Sequence, residues 1–356
     1  MTSAWRNIIK DLEFYLIEIS ILSKTRKYKI GFIINKFLMP YSKVMASSRI
    51  RVYDVIKMFW HDKDFLVKLY GPFRKYDIVI FQKKFDERAF GIAKKLKERK
   101  TKVILDINVN YYDASSKYIE KKQKEDVIRF TELADGVIVP TGFLKESIKT
   151  IFPGKKVWVI KESIEDKFFE EKKEKFVEPL KLIWCGYSAK ARELLLIADV
   201  LTGLYKKIGF ELILICDKDP KIRIGNVPIT FIRYNHSEIP ALLLKGDIFI
   251  APRELSDSYN LAHSFTKVGI AMAVGLPIVA SPVPSYQNSP AVLCADREEW
   301  KENLEKMLID IHFLEYLSRK GREYTKENYS PRVIKPKYEK LFMSVLKSND
   351  ERFNSI

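Results

Sequence analysis

Short apolar runs recur along the chain, separated by longer stretches in which apolar positions return every three or four residues. In the first half the runs are Tyr28–Ile34, Asp77–Phe81, Thr101–Leu105, Gly136–Val139 and Val157–Ile160. They are rich in β-branched residues and too short for helices, so they predict buried strands. Helical spacing between them predicts helices from Ser47 to about Phe59, over Ala89–Glu98, and from a Thr141 cap to about Ile151. In the second half the runs are Leu182–Cys185, Leu212–Cys216, Ile229–Ile232, Ile248–Ala251, Ile278–Ala280 and Ala291–Leu293. Helices are expected near Arg192–Lys207, Ile239–Lys245 and Phe265–Val274. From Glu298 onward helices dominate, ending in a long amphipathic one over Pro331–Lys347.

Alternating strands and helices predict an α/β protein with parallel sheets covered on both faces. Ligands of such sheets bind at the carboxyl ends of the strands. The loops after Ile34 and Leu105 should therefore face a crevice. A charged stretch within 165–180 interrupts the alternation. The expected division is an N-terminal amphipathic helix at 1–27, a first doubly wound (Rossmann-like) domain at 28–165, a linker at 166–180, a second such domain at 181–330, and a terminal helix within 331–356. In the first segment Trp5, Ile8, Ile9, Leu12, Tyr15, Leu16, Ile19 and Leu22 fall on one helical face, and Lys24, Arg26, Lys27 and Lys29 follow. Such a helix either packs on its own domain or rests on an anionic lipid surface.

Composition sharpens this picture. With 356 residues and 47% hydrophobic content, the chain can bury two cores. Its net charge of +17 implies an anionic partner: a phosphorylated substrate, an anionic membrane or nucleic acid. The basic residues are dispersed and no helix-turn-helix, RNA-recognition or zinc signature is present, so nucleic acid is not expected. Cys185, Cys216 and Cys294 stand far apart among apolar residues and read as buried hydrophobes in a reducing compartment. No apolar run reaches transmembrane length and no secretory signal is evident. The four histidines lack metal-ligand spacing. Asp217-Lys218-Asp219, followed by Pro220, reads as a turn.

The segment His263–Ser281 carries the clearest chemistry. Ser264 is expected to cap a helix, Gly275 to end it, and Pro277 to lead into strand Ile278–Ala280. The Ser264 hydroxyl, the amides of Phe265 and Thr266, and Lys267 one turn in would together make an anion site. The turn Gly186-Tyr187-Ser188 could bring amides to the same anion. Arg253, just past a strand, could pair with phosphate or with Glu254 or Asp257. Arg49 and Arg51 lie two apart, so one is expected to reach phosphate and the other to be solvated. Asp106 ends a strand and could serve as a base, while Asn108 and Asn110 either face that site or satisfy their own loop.

Several stretches resemble the GT-B glycosyltransferases, notably the retaining nucleotide-sugar enzymes. Ser264-x-x-Lys267, Gly275-Leu276-Pro277-Ile278-Val279-Ala280-Ser281 and Pro282-Val283-Pro284-Ser285-Tyr286 are similar to their donor-site helix and following strand. Trp184-Cys185-Gly186-Tyr187-Ser188 resembles the first strand and turn of their donor domain. Ala46-Ser47-Ser48-Arg49-Ile50-Arg51, Asp106–Asp113 and Asp247-Ile248-Phe249-Ile250-Ala251-Pro252 resemble further stretches, and the likeness spans about residues 28–345.

The resemblance implies two Rossmann-like domains facing a cleft, with the terminal helix returning to the first. It implies transfer of a sugar from a nucleotide diphosphate sugar to a glycan or lipid-linked acceptor, with no metal and no cofactor. The enzyme would be cytoplasmic, at most peripheral on the inner membrane face. The donor would meet Gly186, Tyr187, Ser188, Tyr234, Arg253, His263, Ser264, Phe265 and Thr266, with Lys267 on the leaving diphosphate. Asp106 would act as base, and Arg49, Arg51, Asn108 and Asn110 would lie on the acceptor side. One departure stands out. The Glu-x7-Glu pair of many retaining members would fall at Ala262 and Ile270, so its donor contacts do not carry over. The loss leaves open a non-catalytic sugar-nucleotide or glycan-binding relative, or a sugar-nucleotide epimerase of the same fold.

Overall fold

The computed structural model describes residues 26–35, 45–113 and 115–347. Residues 1–25 of the amphipathic helix expected over 1–27 and most of the loop after Ile34 lie outside them. The chain forms two compact units. One comprises Met1–Ser163, Ala262–Ser264 and Pro331–Ile356; the other comprises Ile164–Leu261 and Phe265–Ser330.

The first unit is built on six parallel strands: β1 (Tyr28–Ile33), β2 (Phe65–Leu69), β3 (Ile78–Gln82), β4 (Lys102–Asp106), β5 (Gly136–Val139) and β6 (Val157–Val159), in the order β2-β1-β3-β4-β5-β6. Five match the expected runs. The sequence reading missed β2, the edge strand. Asp62, Lys63 and Asp64 precede it and Lys68 interrupts it, so it never shows as an apolar run. Edge strands tolerate such charge because one side of the strand stays wet.

The helical stretch 46–58 and the terminal helix Pro331–Lys347 cover one face of this sheet. Phe59, Phe65 and Phe342 meet there with ring centroids 5.5–5.9 Å apart. Helices Glu87–Glu98, Lys121–Leu133 and Gly142–Ile151 cover the other face. Thr141 caps its helix as expected, its hydroxyl accepting the Leu144 amide at 3.2 Å.

The second unit repeats the plan with β7 (Lys181–Cys185), β8 (Glu211–Cys216), β9 (Ile229–Arg233), β10 (Ile248–Ala251), β11 (Ile278–Ala280) and β12 (Val292–Leu293), in the order β12-β11-β10-β7-β8-β9. All six lie where the apolar runs placed them. Residues 166–180 are more than a spacer, because Phe168 and Phe176 are buried in this unit's cores. The Lys173 ammonium also pairs with Asp247 at 2.6 Å. Gly275 ends helix Thr266–Ala273 at φ +87°, where a side chain would be strained. Among the described residues no helix is long and apolar enough to cross a membrane.

Candidate functional site

Lys267 anchors the cluster in the second unit. It lies in the first turn of helix Thr266–Ala273, and its half-buried side chain carries the ammonium to 4.1 Å from the centre of the Trp184 ring. No hydrogen-bond acceptor among the described residues takes its protons. Burial pushes its pKa down to about 7; the Arg253 guanidinium acts in the same sense and the Glu193 carboxylate opposes it. A lysine enclosed without a partner is a cation waiting for an anion.

Arg253 follows β10 and is buried. Its guanidinium Nη1 reaches both oxygens of Glu193, at 3.1 and 3.0 Å, rather than Glu254 or Asp257. Its backbone amide is fixed by the Ser281 hydroxyl at 2.8 Å. The Nε of Arg253 is buried with no hydrogen-bond partner, so one donor of this side chain is unspent. Three basic and acidic groups thus gather near the carboxyl ends of β7, β8 and β10: Lys267, Arg253 and Glu193.

Other expected donor contacts behave differently. Ser264 does not cap the helix. The N-cap position is Phe265, and the Ser264 hydroxyl instead donates to Glu162 at 2.5 Å. The Phe265 ring is buried, stacked on Tyr329 with centroids 4.5 Å apart, so it belongs to the core. The amides expected from the glycine turn are also spent: Gly186 N–H donates to Ile215 at 3.0 Å and Ser188 N–H to the Asp217 carboxylate at 2.7 Å. Gly186 is required for another reason, since a Cβ there would stand 2.7 Å from the Trp184 ring. Asp217 therefore holds a turn, as read from the sequence. Tyr187 is 61% exposed. Thr266 and His263 are half-buried, and the Tyr234 hydroxyl lies 3.5 Å from the His236 ring. Cys185, Cys216 and Cys294 are free and buried.

The first unit holds a second cluster at the carboxyl edge of its own sheet. Asp106, the last residue of β4, is 0% exposed. It receives Arg51 Nε at 2.6 Å and Nη2 at 2.9 Å, and Arg51 Nη1 also donates to the Ile160 carbonyl at 3.3 Å. Burial lifts the Asp106 carboxyl against the pull of Arg51. For Arg51 burial disfavours the charge, but the Asp106 and Glu162 carboxylates outweigh it and its pKa rises. The two-pronged geometry is that of guanidinium on carboxylate and decides for the ionised pair.

This corrects two expectations. Asp106 is a sealed strut, not a base within reach of a hydroxyl. Neither arginine is solvated, because a π-helical turn at Arg49–Tyr53 draws both Arg49 and Arg51 into the interior. Asn110 uses its side-chain oxygen within its own loop, accepting the Tyr112 amide at 3.2 Å. Asn108 joins the cluster through its Nδ2, which donates to Glu162 at 3.1 Å.

Sequence reasoning missed Glu162 and Lys83. Glu162 lies just past β6, buried, and accepts from Asn108 and Ser264 while Arg51 Nη1 stands 3.9 Å away. Lys83 follows β3 with φ +50°, its carbonyl held by Asn35 at 3.1 Å and its ammonium 5.8 Å from the Tyr111 ring centre. Burial lowers its pKa, with Glu162 and Asp106 opposing. A polar residue immediately after a strand was the available signal in both cases, but many loop residues share it. Among the described residues no three His, Cys, Asp or Glu side chains group as metal ligands do.

No protein-family model matches the sequence, and no curated protein matches it either. Solved structures do resemble the fold. A glycosyltransferase from Rickettsia africae superposes with a TM-score of 0.65 at 12% identity, covering 92% of this chain and 100% of that one. HepE from Anabaena, solved with UDP and glucose, gives 0.63 at 10% identity, covering 89% and 100%. TarM, known from S. aureus, gives 0.60 at 15% identity over 77% of this chain, which spans about half of TarM, 55%. The chain therefore has the two-domain α/β fold of the GT-B glycosyltransferases.

Proposed function

We propose that this GT-B-fold protein is a glycosyltransferase. It would bind a nucleotide diphosphate sugar on the second unit and pass the sugar to a glycan or lipid-linked acceptor. The observation that carries the reading is Lys267: an enclosed ammonium with no acceptor among the described residues, in the first turn of a helix at the carboxyl edge of the second sheet. Solved proteins of this fold hold UDP, which supports a uridine nucleotide as the first donor to test.

Bond cleavage at the anomeric carbon moves charge onto the leaving diphosphate. A cation fixed at that point stabilises the transition state more than the bound donor. Lys267 would supply that charge, and the unspent Nε of Arg253 would donate a further hydrogen bond. Trp184 holds the ammonium by its π face, and Glu193 keeps Arg253 in place. On the first unit Glu162, buried and already accepting from Asn108 and Ser264, shares the carboxyl edge of the sheet with Asp106. The Arg51–Asp106 pair braces that edge. The reaction is proposed to need no metal.

The test measures donor binding and turnover separately. UDP-glucose should raise the melting temperature of the full chain, adding roughly 2.7 kcal/mol of stability at a hundred times its dissociation constant. Lys267→Ala should cut turnover by about a hundred- to a thousandfold, with donor affinity falling less. Turnover should survive EDTA. Binding without turnover on any glycan or lipid-linked acceptor would favour the sugar-nucleotide-binding alternative. Conversion of the free donor would favour an epimerase.

A further inference from the structure

The net positive charge of the chain belongs to one unit. The first unit contains 40 Lys and Arg against 22 Asp and Glu, a net of +18, and the second contains 23 against 24, a net of −1, which together give +17. The donor site reading concerns the second unit and does not explain this asymmetry.

Within the first unit the crossover from β2 to β3 carries an unusual surface. Tyr76 lies across β1 at Gly31, where a Cβ would stand 3.0 Å from its ring, and its hydroxyl receives the Gly71 amide at 2.9 Å. Tyr70 packs on Tyr76 with ring centroids 5.3 Å apart. The crossover is thus pinned at both ends, and Pro72, Phe73, Arg74 and Lys75 project into solvent. Phe73 is 100% exposed. On β1, Ile30 and Phe32 face the core shared with the terminal helix, so Lys29 and Gly31 face the side of Tyr76. Lys68 of β2 stands opposite Gly31 in register and shares that side. Lys29 and Lys68 therefore lie on the sheet face that this crossover covers, and the exposed Arg74 and Lys75 directly follow the bare Phe73 ring. Asp77, at the end of the crossover, has a carboxylate oxygen occupied by the Lys29 amide at 2.7 Å.

We propose that this face of the first unit docks on an anionic lipid bilayer, with Phe73 entering the headgroup boundary. A fixed loop that leaves an aromatic ring wholly in water beside two exposed cations, on the strongly basic unit, suits a planar surface that is apolar below and anionic above. A nucleic acid strand would call for cations along a track with several rings for stacking. The proposal is independent of the transferase reading, and its test involves no turnover.

The full chain is sedimented with vesicles of phosphatidylcholine alone and of phosphatidylcholine mixed with phosphatidylserine. Native protein should pellet with the anionic vesicles and be released by salt. Arg74→Gln/Lys75→Gln should lower the partition coefficient by about thirtyfold, which is about 2 kcal/mol at roughly 1 kcal/mol per charge. Phe73→Ser should remove the binding that persists in high salt. Circular dichroism should show both variants folded, since these side chains are exposed. Equal pelleting with neutral and anionic vesicles would overturn the proposal. So would variants that bind as the native chain does, which would place the contact elsewhere, including residues 1–25. Displacement from vesicles by a single-stranded oligonucleotide, with Phe73→Ser unaffected, would assign the charge to nucleic acid.

Discussion

Binding of a nucleotide diphosphate sugar should depend on pH through Lys267. With a pKa of about 7, the ammonium of the free protein is half deprotonated at neutral pH. A diphosphate at contact favours the charged form and should lift that pKa by about 1–3 units. The sign follows from the proton count. Below pH 7 the lysine is charged before and after binding, so affinity is constant. Above pH 7 the free protein has lost the proton that the complex retains, so binding must take one up. Each pH unit then costs about 1.36 kcal/mol until the pKa of the complex is reached. Affinity should fall by about ten- to a thousandfold in total between pH 6 and pH 10. UDP-glucose is the suitable probe because its diphosphate does not titrate there, and its uracil N3–H ionises only at the alkaline end of the range. Calorimetry in buffers of different ionisation heat should register uptake of about 0.4–0.9 proton near pH 8, according to the size of that lift. Lys267→Arg should bind with a flat profile, because a guanidinium keeps its charge throughout. A flat profile in the native chain, or the same slope in Lys267→Arg, would refute the reasoning.

The same enclosure makes Lys267 a burden on the empty protein. Lys267→Met should stabilise it by about 1–3 kcal/mol at or below pH 7, allowing for the partial exposure of the side chain. Because the folded pKa lies below the unfolded value, this gain should shrink as pH rises from about 7 toward about 10.4, which melting curves at several pH values would show. Arg51→Met leaves the Asp106 carboxylate buried alone and should cost about 3–5 kcal/mol in urea unfolding. Adding Asp106→Leu should recover much of that loss, and a cost under about 1 kcal/mol for the single change would refute the strut. Glu162→Gln weakens the bonds from Asn108 and Ser264 and should cost about 1–3 kcal/mol in urea unfolding. An unchanged unfolding midpoint would refute that bracing role.

The strand pattern was open to sequence reasoning because parallel strands buried on both faces must be short and apolar throughout. That held for eleven of the twelve strands and failed for β2, where Lys68 breaks the run on an edge strand that tolerates it. Thr141 and Gly275 were legible for a related reason: capping and left-handed backbone depend on a residue's own chemistry. The position of Lys267 near a helix start was also legible, together with its charge.

Partnership was not legible. That Arg51 would spend its guanidinium on Asp106, fifty-five residues away, depends on a π-helical turn and on the register of β4 beside β3. Ser264 looks like a cap by type, yet its hydroxyl goes to Glu162 because a buried carboxylate makes the stronger hydrogen bond. Gly186 looked like a phosphate turn, but its amide closes a ladder and its missing side chain makes room for Trp184. The fold follows from patterning that each segment carries alone. Which polar groups remain unspent, as the Lys267 ammonium does, is set by distances between segments far apart in sequence, and only the tertiary structure decides those.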